Sequence, residues 1–303
     1  MQRWIDHDYE VSIAVQEIGL QSRIGLPILW VHGFAHQHQV WDEVIERTAL
    51  KQPTLQMDLR GHGDSGWSVE GDYGVAQHAR DIHRVLDALE VDQAIVVAHS
   101  LGGNAALLAA AQAPERFASL ALIDTGPGLS LQGMQQVAEG VSGSLRSYDC
   151  LEDFRATLDL QYPLASEATL DALAQASLAR RLDGRFEPRL DPALLRGEIP
   201  TETLQQLEQD LWAALSEIKS PTLIVRGASS GMLPEATVEQ MVAQIAGPTH
   251  HVTVPGSGHS IMLDAPEALA AHLRAFIQSH HPSSKQKCSS KAVSQAPRFS
   301  SWG

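Results

Sequence analysis

The segment Ala98-His99-Ser100-Leu101-Gly102-Gly103 sets a serine between the apolar run Ala94-Ile95-Val96-Val97 and an Ala/Leu-rich stretch over residues 104–111. That spacing suits acyl transfer. A serine on a tight strand-to-helix turn has its hydroxyl thrust out of the sheet towards substrate, and the turn closes only where small residues stand two before and two after it. The hydroxyl is a weak nucleophile at neutral pH, so an imidazole within hydrogen-bond reach must take its proton as it attacks. Taken alone, the six residues also suit an ordinary strand-to-helix turn that happens to carry serine. The rest of the chain has to supply the partners.

Of the fourteen histidines, His259 is the candidate base, delivered late in the chain by the strand and Gly-rich turn Val252-Thr253-Val254-Pro255-Gly256-Ser257-Gly258-His259. His99 neighbours the nucleophile and is expected to point the other way, while His62, His78 and His83 read as loop support or an exposed helical face. A carboxylate, Asp124, ends the short apolar run Leu120-Ala121-Leu122-Ile123, although an Asp before Thr125-Gly126 is equally a turn former. The oxyanion of an acyl transfer needs two aimed N–H donors. The buried run Ile28-Leu29-Trp30-Val31-His32-Gly33-Phe34 offers the amide of Phe34, and the residue after the nucleophile offers that of Leu101.

These groups require strands and helices in alternation. Residues 11–15 alternate as a half-exposed strand, residues 53–58 form a shorter buried one, and Asp72 is the expected N-cap of a helix whose stripe is Val75, Ala79, Ile82, Val85, Leu86 and Leu89. Such repeats imply parallel pairing with right-handed crossovers. The rhythm stops near Gly126 and returns at Pro221-Thr222-Leu223-Ile224-Val225-Arg226-Gly227. Between them, residues 151–160, 169–182 and 202–218 pattern as helices, which predicts an inserted helical cap over 127–218 within a core of 1–126 and 219–281. Residues 237–245 and 265–278 are the expected last core helices, and 282–303 read as disordered or non-native.

In register, His32-Gly33-Phe34, the run from Asp58 to Gly66 (DLRGHGDSG), Ala98 to Gly103 (AHSLGG) and Gly256-Ser257-Gly258-His259 resemble the α/β-hydrolase superfamily over residues 10–280, and within it the cap-bearing serine hydrolases. The order serine, acid, histidine is the superfamily's. The resemblance implies an α/β fold with a mostly parallel sheet of about eight strands, helices on both faces, and a site at the strands' carboxyl ends. Most relatives keep the acid just past the penultimate strand. Here the loop Gly227-Ala228-Ser229-Ser230-Gly231-Met232-Leu233 has no carboxylate, and Glu235 beyond it suits the first turn of a helix on dipole grounds alone. Asp124 lies at the alternative position used by some members and is favoured; Glu235, or a serine–histidine pair without an acid, remains open.

The segment Gly33-Phe34-Ala35-His36-Gln37-His38-Gln39-Val40-Trp41 also resembles the superfamily's cofactor-free ring-cleaving dioxygenases, which carry a histidine in that loop and keep their acid after the earlier strand. The plainer reading makes His36 and His38 loop and pocket residues of an ester hydrolase. Metal is not expected, since no carboxylate or cysteine stands near them in sequence. Serine at the turn argues against haloalkane dehalogenase and epoxide hydrolase chemistry, which uses Asp there, and an intact serine–histidine pair argues against a non-enzymatic receptor. The expected reaction is hydrolysis of a small or medium carboxylic ester or lactone through an acyl-enzyme, with cofactor-free oxygenation or C–C bond hydrolysis as the alternative. His36, His99 and Trp212 are the expected substrate contacts, and Tyr148, Phe154, Tyr162 and Phe186 are further pocket candidates.

A net charge of −14 excludes nucleic acid as a partner and disfavours anionic membranes. The basic residues Lys285, Lys287, Lys291 and Arg298 of the terminal stretch leave the rest still more acidic. Only Cys150 and Cys288 are present, far apart, so neither a disulfide nor a metal set is expected. The charged first ten residues do not read as a signal peptide, and no apolar run reaches membrane-spanning length, so a cytoplasmic protein is expected. It would need no cofactor, act on a small molecule, and be a monomer or homodimer.

Overall fold

The computed structural model describes residues 1–5, 11–22, 24–196 and 200–281, so the terminal stretch 282–303 lies outside the described residues. Eight strands form one sheet: β1 (Gln2–Ile5), β2 (Ile13–Ile18), β3 (Ile28–Val31), β4 (Thr54–Met57), β5 (Ala94–His99), β6 (Phe117–Ile123), β9 (Thr222–Gly227) and β10 (Thr249–Val254). Their order is β1-β2-β4-β3-β5-β6-β9-β10, with β1 and β2 antiparallel to their neighbours and the other pairs parallel. Strands β3, β5, β6 and β9 are near-continuous runs of buried apolar residues, the pattern of parallel strands covered on both faces.

Alternation along those strands sends side chains to two cores. Leu29, Val31, Val96, Ala98, Leu120, Leu122 and Ile224 face the core built with α2 (Val75–Ala88), α3 (Ser100–Gln112), α7 (Thr201–Leu215) and α8 (Glu235–Gln244). Ile28, Trp30, Ile95, Val97, Ala121, Ile123, Leu223 and Val225 face the other, with α1 (Asp42–Thr48), α9 (Ile261–Asp264) and α10 (Pro266–His280). There Trp30 and Trp41 meet at 5.4 Å between ring centroids. A right-handed crossover from each parallel strand through its helix carries the carboxyl ends to one edge of the sheet.

Between β6 and β9 the chain leaves the sheet and runs through α4 (Leu131–Ser144), α5 (Leu151–Gln161), α6 (Glu167–Ser177), the hairpin β7 (Leu178–Arg180) with β8 (Phe186–Pro188), and α7. Two sequence expectations change here. The helix predicted over 169–182 ends at Ser177, because Leu178 to Arg180 pair with β8; Gly184, at φ +90°, makes the reversal, and the Asp183-Gly184 dipeptide was its overlooked signal. Helix α7, predicted as part of the insertion, lays Leu211 and Leu215 into the sheet's own core and packs on α3. A third change concerns α2, which starts two residues later than expected with Gly74 at its N-cap; Asp72 is held in the preceding turn by Ser68. Among the described residues no helix is long and apolar enough to cross a membrane.

Candidate active site

Strand β5 ends at His99 and α3 begins at Ser100, whose φ is +51°. A side-chain-bearing residue in that left-handed region stores strain on the order of 1–3 kcal/mol, held by the packing around it. The space is as tight as the sequence implied: a Cβ on Gly102 would lie 2.3 Å from the carbonyl oxygen of His32. Strand β3 and helix α3 therefore touch directly. Ser100 is buried, with 7% of its surface exposed at the floor of a cavity of about 440 Å³.

His259, in the turn after β10, reaches Ser100 Oγ with Nε2 at 3.0 Å. Its Nδ1 lies 2.7 Å from Asp124 Oδ2, so Nδ1–H donates to the carboxylate and Nε2 is left to accept the serine proton. Asp124 follows β6 at φ +47°, a conformation that Asp tolerates better than most residues, and its side chain is fully buried. Oδ1 accepts from the amide of Gly227 at 3.0 Å, and Oδ2 also accepts from the hydroxyl of Ser230. Glu235, the other candidate acid, stands exposed in the first turn of α8. The loop with no carboxylate thus contributes an amide and a hydroxyl to the acid of the neighbouring strand, and Ser230 was missed because a serine in a Ser/Gly loop carries no distinctive signal.

On the opposite side, His32 fixes the loop that carries Phe34. Its Nδ1 donates to the carbonyl of Gly33 at 2.7 Å and its Nε2 accepts from the amide of Leu59 at 2.9 Å. Burial pushes this imidazole down to about 3, so it stays neutral and keeps that tautomer. Gly33 is pressed against Ser100, where a Cβ would sit 2.9 Å from Ser100 Cβ, and Phe34 lines the cavity beside Ser100. The amide of Leu101 is the second of α3, one of the first-turn N–H groups that a helix leaves unpaired. Beyond Phe34, Ala35 at φ +58° turns the loop, and the amide of His36 closes it on Gly33 O at 3.2 Å.

His36 and His38, adjacent in the sequence reading, diverge. His36 lines the cavity, stacks on His99 with centroids 5.6 Å apart and bonds through Nε2 to the Tyr162 hydroxyl at 3.0 Å. Burial, with repulsion from His259, pulls His36 down to about 3, and burial, with the negative charge of Asp264, pushes the Tyr162 phenol up to about 12. His38 turns away to Asp58, a carboxylate remote in sequence, at 3.0 Å. Asp58 accepts in addition from the amides of His38 and Asp64, which ties the His36–His38 loop to the Asp58–Gly66 loop.

Three further expectations are corrected. His99 does not point away: Nε2 donates to the carbonyl of His259 at 3.0 Å and the two rings lie 4.6 Å apart, because the residue before Ser100 ends β5 beneath the His259 turn. His78 is fully buried, not on an exposed face. Trp212 lies on α7, Nε1 directed to Glu208 at 3.4 Å and its ring against the first core, and it is not among the residues lining the cavity over Ser100. Of the other aromatic candidates Tyr162 lines it; Tyr148 and Phe154 are core residues, 5.1 Å apart edge to face. The remaining wall comes from Gln136, Val137 and Val141 of α4, which sequence did not single out, and from Gln161, Leu164, Met232 and Asp264.

A family model described as alpha/beta hydrolase fold matches residues 27–266, which span the whole of this arrangement. The chain belongs to the α/β hydrolase fold family. Among its relatives is the esterase Rv0045c of Mycobacterium tuberculosis, 29% identical over 82% of this chain and 82% of that one. Another is the 2-(acetamidomethylene)succinate hydrolase of Mesorhizobium japonicum, 26% identical over 90% of this chain and 96% of that one. A crystal structure of E-2-(acetamidomethylene)succinate hydrolase superposes on this hydrolase with a TM-score of 0.78 at 26% identity, covering 92% of this chain and 99% of the other.

Proposed function

We propose that this hydrolase cleaves a small or medium, uncharged carboxylic ester or lactone through an acyl-enzyme on Ser100. The observation that carries the proposal is the continuous relay from Ser100 Oγ through His259 to Asp124, at 3.0 and 2.7 Å, opening on a cavity large enough for such a substrate. His259 takes the serine proton as Oγ bonds to the carbonyl carbon, and the amides of Phe34 and Leu101 receive the negative charge that forms on the carbonyl oxygen. His259 then returns the proton to the departing alcohol oxygen. A water, deprotonated by the same imidazole, attacks the acyl-enzyme and releases the acid with Ser100 restored. Asp124 keeps the imidazole in its productive tautomer and stabilises its charged form. The insertion that carries α4, α5 and α6 acts as the cap, since α4 and the chain after α5 line the cavity.

The esterase-named relative supports the class of reaction. The test is covalent labelling by a fluorophosphonate together with turnover of p-nitrophenyl acetate. Both are expected in the native enzyme and both are expected to vanish in Ser100→Ala. Turnover retained in Ser100→Ala with consumption of O₂ would instead establish the oxygenase chemistry.

A further inference from the structure

The cavity over Ser100 does not end at its back wall. Beside His36 and Tyr162 lies a second chamber of about 60 Å³, and these two residues line both spaces together with Val141 and Gln161. This chamber is walled mainly by the buried side chains Val40, Phe154, Leu158, Leu173 and Leu190, with Gln37, Ser177 and Arg189 at its polar edge. The polar part of the partition is a hydrogen-bonded pair, His36 Nε2 to Tyr162 hydroxyl at 3.0 Å with ring centroids 5.8 Å apart. Both partners are anchored. His36 is stacked on His99, which is tied to the backbone of His259, and Tyr162 caps the carboxyl end of α5.

We propose that the His36–Tyr162 pair is a septum that sets acyl-chain length, stopping the chain in the outer cavity and closing off an apolar chamber that would otherwise receive its end. The proposal rests on the reading of the outer cavity as an ester hydrolase site and deepens it. A bare wall of packed aliphatic side chains would have ended the pocket equally well; here two polar groups satisfying one another form part of the wall in front of a largely apolar space. A chamber of about 60 Å³ has room for about two methylene groups if each needs about the 30 Å³ of a water molecule. Each methylene moved from water into such surroundings improves binding about fourfold, so opening the chamber is worth about tenfold or more to a chain long enough to enter.

The test is the ratio of kcat/KM for p-nitrophenyl octanoate to that for p-nitrophenyl acetate, in the native enzyme and in Tyr162→Phe, Tyr162→Ala and Tyr162→Ala with Leu173→Phe. Tyr162→Phe breaks the hydrogen bond and keeps the ring; it is expected to raise the ratio about threefold. Tyr162→Ala removes the partition and is expected to raise it tenfold or more, and Leu173→Phe, which fills the chamber, to reverse most of that gain. A residue of structural importance alone would depress both esters together and leave the ratio unmoved. The septum is overturned by a ratio within twofold of native in Tyr162→Ala, or in Tyr162→Phe should the alanine variant not fold. If the native enzyme turns over neither ester and takes no fluorophosphonate, the hydrolase reading itself fails and the septum falls with it. Ester turnover with an unmoved ratio sinks the septum alone.

Discussion

Ser230 donates its hydroxyl to Asp124 Oδ2, the same oxygen that accepts from His259. With the amide of Gly227 on Oδ1, the buried carboxylate takes three hydrogen bonds, and Ser230 supplies the one that a side-chain substitution can delete without removing the imidazole. Ser230→Ala leaves a lone pair of a buried carboxylate unmet, at a cost on the order of 1 kcal/mol, and frees the carboxylate to pivot away from the imidazole. The expected result is a kcat lower by about five- to tenfold with KM within twofold, since this serine does not line the substrate cavity. Steady-state kinetics decide it. An unchanged kcat, or a loss confined to KM, would remove Ser230 from the positioning of the acid.

The acid itself is tested by exchanging the two candidates. Asp124→Asn places an amide against His259 Nδ1 and favours the wrong tautomer, with an expected loss of about 10⁴ in kcat. Glu235→Gln alters an exposed side chain at the start of α8 and is expected to stay within twofold of native. If the losses are reversed, the Asp124 assignment is wrong.

Local backbone demands made much of this molecule legible from sequence. The nucleophile turn needs small residues at 98 and 102, and Gly102 sits where the His32 carbonyl admits no side chain, so sequence and geometry carry the same constraint. The strands were equally readable, because burial on both faces leaves runs such as Ala94 to Ala98 without polar interruption. What sequence hid were pairings across long separations. Asp58 lies 20 residues from His38, Tyr162 lies 126 from His36 and Ser230 lies 106 from Asp124. Asp58 stands in a recognisable run, but nothing in that run names His38 as its partner, and neither Tyr162 nor Ser230 carries a local pattern that names its own. Trp212 was misplaced for the related reason that an aromatic residue at helical spacing looks the same whether its face meets a cavity or a neighbouring helix. Helix α4 was overlooked because Gly133, Gly140 and Gly143 break its pattern, yet it supplies one wall of the cavity.

The cavity's charge predicts what it rejects. Among the described residues that line it there is no Lys or Arg, whereas Asp264 contributes a carboxyl, accepting from the Gly258 amide at 2.8 Å. Burial pushes that carboxyl up, although the amide and His259 draw it back. A carboxylate on the acyl portion would enter with no cation to meet it and a like charge nearby, an arrangement that costs on the order of 1–3 kcal/mol. The neutral methyl p-nitrophenyl succinate diester is therefore expected to be cleaved at least tenfold more efficiently than p-nitrophenyl hemisuccinate at pH 7.5. Comparable kcat/KM for the two would show that the site accommodates anionic acids.

The His38–Asp58 pair, 3.0 Å apart, predicts a pH-dependent stability. For His38, burial pulls the imidazole down, but the hydrogen bond and charge of Asp58 outweigh it and raise it above its usual value. Burial likewise pushes Asp58 up, and His38 with the Asp64 amide outweighs that and holds the carboxyl low. A raised histidine stabilises fully below its unfolded value of about 6.5 and loses that contribution as pH climbs through the folded value; a lowered aspartate stabilises above about 3.9 and loses it as pH falls through the folded value. Both contributions are whole between about pH 4 and 6.5. His38→Gln is accordingly expected to cost about 3 kcal/mol at pH 5.5 and less at pH 8.5, because native His38 loses its charge as pH climbs through its raised value. The neighbouring His32 and His62, pushed down by burial to about 3 and about 4, are neutral at both pH values and cancel between native and variant. Urea unfolding of the two proteins at each pH measures the difference. A cost that is flat with pH, or larger at 8.5, would show that His38 acts there as an uncharged hydrogen-bond partner and that no ion pair joins the two loops.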